Sequence, residues 1–336
     1  MKIFYAVQAT GNGHISRAME LLPYLQQYGS VDIFLSGDNS HLALDAPIKY
    51  RSKGISLFYN CNGGLDYWHM IKGLHPLRIR EEIRDLPVEK YDLVLNDFDY
   101  ITSAACARKK IPSIHFGHQA SFLSPQTPRP AKKQITGEWL LKHYIKATHH
   151  IGLHFKSYDD FIFPAIVKKQ IIEAEPVDNN HITVYLPSYC EPQLQEAFFA
   201  LPDFQFHVFS KETKSIRAVK NIIFLPVDKL LFNQSLISCT GIITGGGFET
   251  PAEALHLGKK IMTIPIRGQY EQQCNAAAMG SMGVYHLTKI DETFTPAFYK
   301  WMEAPSPSAV NYANVIPRCL EHIFLLAEQS LRQKAA

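Results

Sequence analysis

The sequence lacks the features that mark several large classes of protein. Its six cysteines include no C-x-x-C pair, which argues against a zinc site or a disulfide framework and suits a reducing compartment. A formal net charge of +3 is too small to indicate nucleic-acid binding. No apolar run approaches the roughly 20 residues that span a bilayer. The chain opens on strand-like KIFYAV without a charged leader or cleavage site, so we expect a cytoplasmic protein.

Basic residues are grouped locally rather than spread along one face. Such short groups are typical of solvated surface, and we expect that of each of them. The groups are Arg108-Lys109-Lys110, Lys132-Lys133, Lys168-Lys169 and Lys259-Lys260.

Short β-branched and aromatic runs alternate with helical patterns along the 336 residues, which predicts βαβ units and parallel sheets. The pattern restarts after a mixed segment, so we predict two doubly wound α/β domains with a cleft that faces the carboxyl ends of both sheets. The Pro-rich stretch 120–137 is predicted to be a long surface loop. The predicted divisions are an N-terminal domain over 1–165, a linker over 166–180, a second domain over 181–309, and a closing helix over 310–332 that can pack back on the first domain.

The most informative stretch is GIITGGGFETPAEALHLGKKIMTIPIRGQYEQQCNAAAMG, residues 241–280. A strand ends at Thr244, three glycines make a turn, and a helix begins near Phe248, so free N–H groups and the positive helix end converge where an anion can bind. Thr250 adds a hydroxyl donor. Glu253, one turn later, is close enough to accept hydrogen bonds from ribose hydroxyls. Alternatively, the glycines only make a turn and Glu253 is a solvated helix residue.

This stretch resembles the donor-binding signature of the GT-B nucleotide-sugar glycosyltransferases. It is similar to the branch that holds the UDP-glycosyltransferases and the peptidoglycan lipid II N-acetylglucosaminyltransferase. It is more similar still to uncharacterised bacterial and archaeal relatives with G-G-F…E-A-L…G-K…P…Q-x-E-Q…N-A. The resemblance implies a GT-B fold of two Rossmann-like domains. It also implies an inverting transfer from a nucleotide-sugar, most simply a UDP-sugar, to an unknown hydroxyl acceptor, with no metal and no cofactor.

The same resemblance implies a role for each residue around the glycine turn. The turn and the hydroxyl of Thr250 would face the diphosphate, Glu253 would bind the ribose, Glu271 and Gln272 would contact the donor sugar, and Asn275 would brace their loop. The predicted donor-binding residues are Gly245, Gly246, Gly247, Phe248, Thr250, Glu253, Gln269, Glu271, Gln272 and Asn275. This chain departs from the family pattern twice. Gly245 stands where many eukaryotic and plant members have a phosphate-contacting histidine, and Lys260 replaces the usual proline after the helix.

The N-terminal loop Gly11-Asn12-Gly13-His14 breaks the dinucleotide-binding spacing, because Ser16 stands where a third glycine is needed. The loop matches the G-x-G-H-like turn that opens the acceptor domain of the superfamily it resembles. Small residues allow it to approach the reacting atoms closely. The positive end of the following helix disfavours an imidazolium, so we predict that His14 is a neutral general base for the acceptor hydroxyl. Alternatively, His14 only caps the helix.

A base histidine often needs a carboxylate that orients it, and YDLVLNDFDY provides one. Asp97 ends a predicted strand at the cleft edge, in a position that resembles the V-x-D-x-F partner of the histidine in plant UDP-glycosyltransferases. Asp99 is the nearby alternative. Asp97 can also be interpreted as a carboxylate that caps the strand end.

The acceptor side carries weaker signals. His118 follows the strand IPSIHFG and is predicted to lie near the acceptor with Gly11, Asn12 and Gly13, although a satisfied structural histidine is the favoured interpretation of both His115 and His118. The aromatic-rich run Tyr67-Trp68-His69 can line an acceptor groove or belong to the core. We expect contact with a membrane to be peripheral at most, and a solvated loop is favoured over it. The membrane candidates are Phe122, Leu123, Arg129, Lys132 and Lys133.

Two other functions stay open beside sugar transfer. A UDP-N-acetylhexosamine 2-epimerase shares the architecture and would use His115 or His118 as an additional acid or base. A non-catalytic sugar-nucleotide-binding protein is the other alternative, because the phosphate-contacting histidine is absent. The expected partners are therefore a nucleotide-sugar and an unidentified acceptor.

Overall fold

The computed structural model describes residues 1–9, 11–37, 44, 46–54 and 75–335. The run Tyr67-Trp68-His69 lies outside the described residues. Within them, the first half of the chain forms one parallel sheet of the strands β1 (Lys2–Gln8), β2 (Ser30–Ser36), β3 (Ile48–Ser52), β4 (Leu93–Asp97), β5 (Ile114–Gly117), β6 (His149–His154) and β7 (Ile162–Pro164). The strand order is β3-β2-β1-β4-β5-β6-β7. Apolar β1 and β4 are buried on both faces, as the centre of a parallel sheet requires.

The strand order reverses between β1 and β4, and this reversal positions the N-terminal loop. Val7 pairs with Asp97 across the two strands, so the loop that follows β1 starts beside the carboxyl end of β4. Among the described residues, the α-helices of this half are α1 (Asn12–Leu25), α2 (Pro76–Asp85), α3 (Tyr100–Lys109) and α4 (Ile135–His143). Helix α1 packs on the sheet through residues spaced three or four apart, namely Ile15, Ala18, Leu21, Leu22 and Leu25.

A second sheet repeats the design. Its strands are β8 (His181–Tyr185), β9 (Gln205–Ser210), β10 (Arg217–Val219), β11 (Ile222–Pro226), β12 (Gly241–Thr244), β13 (Lys260–Thr263) and β14 (Tyr285–His286). The order is β10-β11-β9-β8-β12-β13-β14, parallel except for the edge pair β10 and β11. Its order reverses between β8 and β12, which places the glycine turn after β12 at the second crevice.

Seven helices accompany this half within the described residues. They are α5 (Lys169–Ile172), α6 (Glu191–Phe199), α7 (Lys229–Ser238), α8 (Glu249–His256), α9 (Tyr270–Gly280), α10 (Phe294–Glu303) and α11 (Val315–Ala335). The last helix packs against the first half of the chain. His149 Nε2 lies 3.0 Å from Ser330 Oγ on α11, and the rings of Tyr28 and Phe324 stack with centroids 3.9 Å apart.

The prediction of a surface loop over 120–137 is wrong at both ends of that stretch, whereas residues 124–134 are turns and irregular backbone. Residues 118–123 form a buried 3₁₀ helix, and α4 begins at Ile135. Phe122 is fully buried, and Arg129 donates to Glu138 Oε1 at 2.6 Å and to the carbonyl of Phe122 at 2.7 Å. The segment is buried because α9 of the second half covers it, with Cys274 and Tyr270 against Phe122. Phe122 is therefore not available to a membrane, whereas Lys132 and Lys133 are exposed.

In two of the basic pairs, the first lysine was wrongly interpreted as solvated surface, whereas Lys169 is exposed as expected. Lys168 Nζ lies 3.1 Å from Glu253 Oε1 in a buried ion pair. Lys259 Nζ donates to the carbonyls of Val177 at 2.6 Å and Cys239 at 2.8 Å. Both ammonium groups are buried because each has nearby oxygen acceptors, which sequence pattern does not reveal.

Candidate functional site

The two crevices face each other, and the N-terminus of α1 meets the N-terminus of α8 there. At Gly13 the two elements approach closely, because a Cβ there would collide with the carboxylate of Glu249 in the first turn of α8. Glycine leaves room for this carboxylate. Tyr185 at the end of β8 lies on the same side, with its hydroxyl 3.5 Å from Asn12 Nδ2.

His14 and Asp97 lie together at this meeting point. The Nδ1 atom of His14 is 2.8 Å from Oδ1 of Asp97, whose side chain has no exposed surface, whereas that of His14 is 12% exposed. Burial alone would raise the pKa of Asp97, but the charges of Arg17 and His14 outweigh it and lower the pKa to about 2. An ionised Asp97 accepts a hydrogen bond from Nδ1–H, so Nε2 of the imidazole is left to accept a proton.

Asp99, the alternative partner, has a different task. Its carboxylate accepts a hydrogen bond from the backbone N–H of Thr102 at 2.6 Å and caps the N-terminus of α3. Its backbone carbonyl accepts from Asn96 Nδ2 at 2.9 Å. Asp99 is thus used in holding α3, and Asp97 is the carboxylate beside His14.

Arg17 completes the cluster, and the sequence did not single it out. It is 2% exposed and donates to both carboxylate oxygens of Asp97, with Nε 3.0 Å from Oδ2 and Nη2 2.8 Å from Oδ1. Its Nη1 donates to Glu249 Oε1. Arg17 Nη2 also lies 2.9 Å from His14 Nδ1, and in the Nδ1–H tautomer, which a basic Nε2 requires, both nitrogens would donate to Asp97. The available signal was spacing, since Arg17 lies three residues after His14 on α1 and shares its face.

The glycine turn is held from behind by side chains of α9. Gly246 adopts a φ of +78°, a conformation that favours glycine, and its carbonyl accepts from Asn275 Nδ2 at 3.2 Å. Gln272 Oε1 accepts from the backbone N–H of Ile266 at 2.9 Å, which fixes the neighbouring loop. A Cβ at Gly247 would meet no atom within 4 Å, so the space in front of the turn is open. Gly247 is half-buried, whereas Gly245 and Gly246 are buried.

A cavity of about 80 Å³ lies between the two halves. Glu253, 2% exposed, has one carboxylate oxygen 3.1 Å from Lys168 Nζ, and its other oxygen, Oε2, has no hydrogen-bond partner among the described residues. Burial raises the pKa of Glu253. A buried acceptor without a partner beside a cavity is a site for a ligand hydroxyl or a water. The cavity is lined by Asn12, Gly13, Ser16, Lys168, Tyr185, Val227, Asp228, Lys229, Phe232, Glu249, Thr250 and Glu253.

His118 lies buried between the halves, which favours the structural interpretation. Its Nδ1 is 2.9 Å from the carbonyl of Leu153 and its Nε2 is 2.8 Å from Asn275 Oδ1, while its ring stacks on Phe248 with centroids 4.0 Å apart. Glu271 also joins the two halves, because it accepts a hydrogen bond from Gln119 Nε2 at 3.1 Å. Gln269 is the N-terminal cap residue of α9, and its side-chain oxygen is buried.

His115 is the other histidine considered for acid or base chemistry. Both of its ring nitrogens lack a partner among the described residues. Burial, reinforced by His150, lowers its pKa to about 3. The lowered pKa leaves the His115 ring neutral and makes it a weak base near pH 7.

Neither a metal site nor a membrane-spanning helix is found among the described residues. In the part of the chain that the structure describes, no group of three or more His, Cys, Asp or Glu side chains could hold a metal ion. None of the described helices combines the length and the apolar character that crossing a membrane requires.

Comparison with known proteins adds to this geometry. A family model described as glycosyl transferase family 1 matches residues 1–300, whereas no curated protein matches the chain. UGT89C1 of Arabidopsis thaliana, complexed with UDP, is 10% identical over 98% of this chain and 99% of that chain, with a TM-score of 0.60. MurG of Acinetobacter baumannii is 14% identical over 96% and 99%, with a TM-score of 0.57. UGT2 of Phytolacca americana, complexed with UDP-2fluoro-glucose and pterostilbene, is 11% identical over 98% and 94%, with a TM-score of 0.57.

At these identities the similarity shows the fold alone. That fold is GT-B, with two Rossmann-like halves, and it confirms the fold class that the sequence predicts.

Proposed function

Since this chain belongs to glycosyl transferase family 1 and is a glycosyltransferase, we propose that it transfers a sugar from a UDP-sugar to a hydroxyl acceptor with inversion, using His14 as the base. The observation that carries the proposal is the contact of 2.8 Å between His14 Nδ1 and Asp97 Oδ1 at the point where α1 meets α8. This contact fixes a tautomer with a basic Nε2 beside the glycine turn of the other half.

The chemistry needs one base and one leaving group. The acceptor hydroxyl gives its proton to His14 Nε2 while its oxygen forms a bond to C1 of the donor sugar. The bond between C1 and the diphosphate oxygen breaks in the same displacement, and the nucleoside diphosphate leaves with the electron pair. A single displacement inverts the configuration at C1, and it requires no nucleophile from the enzyme.

The departing diphosphate would be stabilised by the second half. The backbone N–H groups of Gly246 and Gly247 and the hydroxyl of Thr250 precede or begin α8, whose positive end favours an anion. Glu253 Oε2 would accept hydrogen bonds from the ribose, and Gln269, Glu271 and Gln272, at the start of α9, would face the sugar. Helix-end donors can balance the diphosphate charge, so we propose that transfer needs no metal. Fold relatives that are complexed with UDP or a UDP-sugar support the choice of uridine.

The test uses water as the acceptor, so that the natural acceptor need not be known. Purified protein is incubated with UDP-glucose and UDP-N-acetylglucosamine, UDP release is measured, and NMR follows the anomer of the sugar that is first released. We expect UDP release by the wild type, the β-anomer as the first product from an α-linked donor, and loss of release in His14→Ala. Nucleotide binding is followed separately as a rise in Tm with UDP, which Glu253→Ala should abolish.

The matched control is Glu196→Gln, an exposed residue on α6 that should leave release and the Tm shift unchanged. Retention of the α-anomer would contradict inversion. Binding of UDP with no release, unaffected by His14→Ala, would instead support a non-catalytic nucleotide-sugar-binding protein.

A further inference from the structure

Arg17 has an unusual environment for a residue in the first turns of a helix. Its guanidinium is buried between two carboxylates that come from different halves of the molecule, Asp97 at the end of β4 and Glu249 in the first turn of α8. A fully buried arginine is stable only when it is paired and hydrogen-bonded, and here three of its nitrogens donate to carboxylate oxygens. Both partners belong to the candidate site.

The first consequence concerns Asp97. A carboxylate with no exposed surface tends to become protonated, and a protonated Asp97 would no longer be an obligatory acceptor for His14 Nδ1–H. Arg17 opposes this because its Nε and Nη2 approach the two oxygens of Asp97 as a planar fork. Oδ1 of Asp97 can still accept a hydrogen bond from His14 Nδ1–H while it accepts one from Arg17.

The second consequence concerns the other half. Glu249 lies two residues after the glycine turn, and its carboxylate reaches Arg17 across Gly13, where a side chain would collide with it. The contact between Arg17 and Glu249 therefore exists only when the N-termini of α1 and α8 are close. Arg17 therefore contacts both sides of the cleft, Glu249 after the glycine turn and Asp97 beside His14.

We propose that Arg17 is a positioning residue that holds Asp97 against His14 and, through Glu249, aligns this base with the donor-binding turn. This inference rests on the proposed function, because it assigns Arg17 to the transfer step. Lysine cannot replace it, since one ammonium group lacks the planar fork that spans Asp97 and the further donor that reaches Glu249.

The first experiment compares Arg17→Lys and Glu249→Gln with the wild type, using UDP release from a UDP-sugar in water and the Tm shift with UDP. Arg17→Lys should lower kcat on the order of 100-fold, within the range for a general base, while the donor KM and the Tm shift stay near the wild-type values. Glu249→Gln should lower kcat about tenfold. The double variant should be no worse than Arg17→Lys, because both act through one network.

The control is Arg217→Lys, which alters another arginine–glutamate pair. Arg217 lies on the edge strand β10, four strand positions from β12 in the second sheet, and it donates to Glu191 on α6. This variant should keep kcat. An unchanged kcat in Arg17→Lys would contradict the positioning role of Arg17 but not the proposed function. A wild type that neither binds nor releases UDP would contradict the proposed function itself.

A second measurement does not depend on the donor. Proteins carrying ¹⁵N-labelled histidine are studied by NMR, with the signals of His14 assigned by their loss in His14→Gln. We expect Nδ1–H in the wild type and a larger fraction of Nε2–H in Arg17→Lys. If Arg17→Lys lowers the Tm and the rate but leaves the tautomer unchanged, Arg17 is only structural and the proposal is wrong.

Discussion

The two faces of the cleft differ in how far their polar groups are already paired. On the first half, His14, Asp97 and Arg17 bond to one another and to Glu249 without any ligand. On the second half, an oxygen of Glu253 has no partner among the described residues, and the space in front of Gly247 is open. The proposed base is therefore held in place before any ligand binds, whereas the proposed ribose acceptor Glu253 keeps one oxygen available to a ligand.

The largest expected effect tests the paired face. His14→Ala removes the proton acceptor and should lower the rate of UDP release on the order of 10²- to 10⁴-fold. The Tm shift with UDP should persist, because the nucleotide contacts belong to the other face. Steady-state kinetics and thermal unfolding on the same preparations measure both. Loss of UDP binding in His14→Ala would break the division of tasks between the two faces.

Removing the carboxylate of Glu253, whose Oε2 has no partner among the described residues, tests the second half of the cleft. Glu253→Gln keeps the size of the side chain but removes the carboxylate, and hydrogen bonds to a charged acceptor contribute about 1.5–3 kcal/mol. We expect UDP affinity to fall roughly 10- to 100-fold, as measured by isothermal titration calorimetry. The wild type should prefer UDP over 2′-deoxy-UDP, and the variant should lose most of that preference. Equal binding of both nucleotides by the wild type would remove the ribose from this site.

Acidification should distinguish the faces through Asp97. Its pKa is about 2 in the folded protein and near 3.8 when unfolded, so the unfolded state binds this proton first as the pH falls. The stabilisation by Asp97 is complete above about pH 5 and is lost toward pH 2, and it amounts to about 2 kcal/mol. Asp97→Asn should therefore lose less free energy of unfolding between pH 5 and pH 2 than the wild type does. Urea unfolding across that range measures it, and the exposed Asp203→Asn should follow the wild type.

The local sequence pattern predicted the glycine turn of the second half better than the cluster of Arg17 and Glu249 that joins the two halves. The glycine turn and α8 are contiguous in sequence, and strand, turn and helix signals mark them directly. Arg17 and Glu249 are 232 positions apart, and neither residue type indicates burial. Only the folding of two sheets against each other brings them together, so sequence pattern could not reveal the pair.

The same limit explains the errors in local structure. The Pro-rich stretch 120–137 has the composition of a loop, but α9 from the other half covers it and buries Phe122. The closing helix was predicted from residue 310, yet α11 begins at Val315, because Asn314 adopts a positive φ of 61° that a helix cannot contain. In each case a tertiary contact or a single backbone angle decided the outcome rather than composition.

The smallest expected effect compares two alanine substitutions, one on each face. In Gly13→Ala the new methyl group collides with the carboxylate of Glu249, which must move away from Arg17, so the free energy of unfolding should fall by about 1–3 kcal/mol. In Gly247→Ala the methyl group meets no atom, so stability should change by less than about 0.5 kcal/mol, but it lies where the diphosphate would approach the turn and should weaken UDP binding. Chemical denaturation and titration with UDP measure the two effects. Equal losses of stability in the two variants would mean that the second face is as closely packed as the first, because only open space before α8 makes Gly247→Ala harmless to the fold.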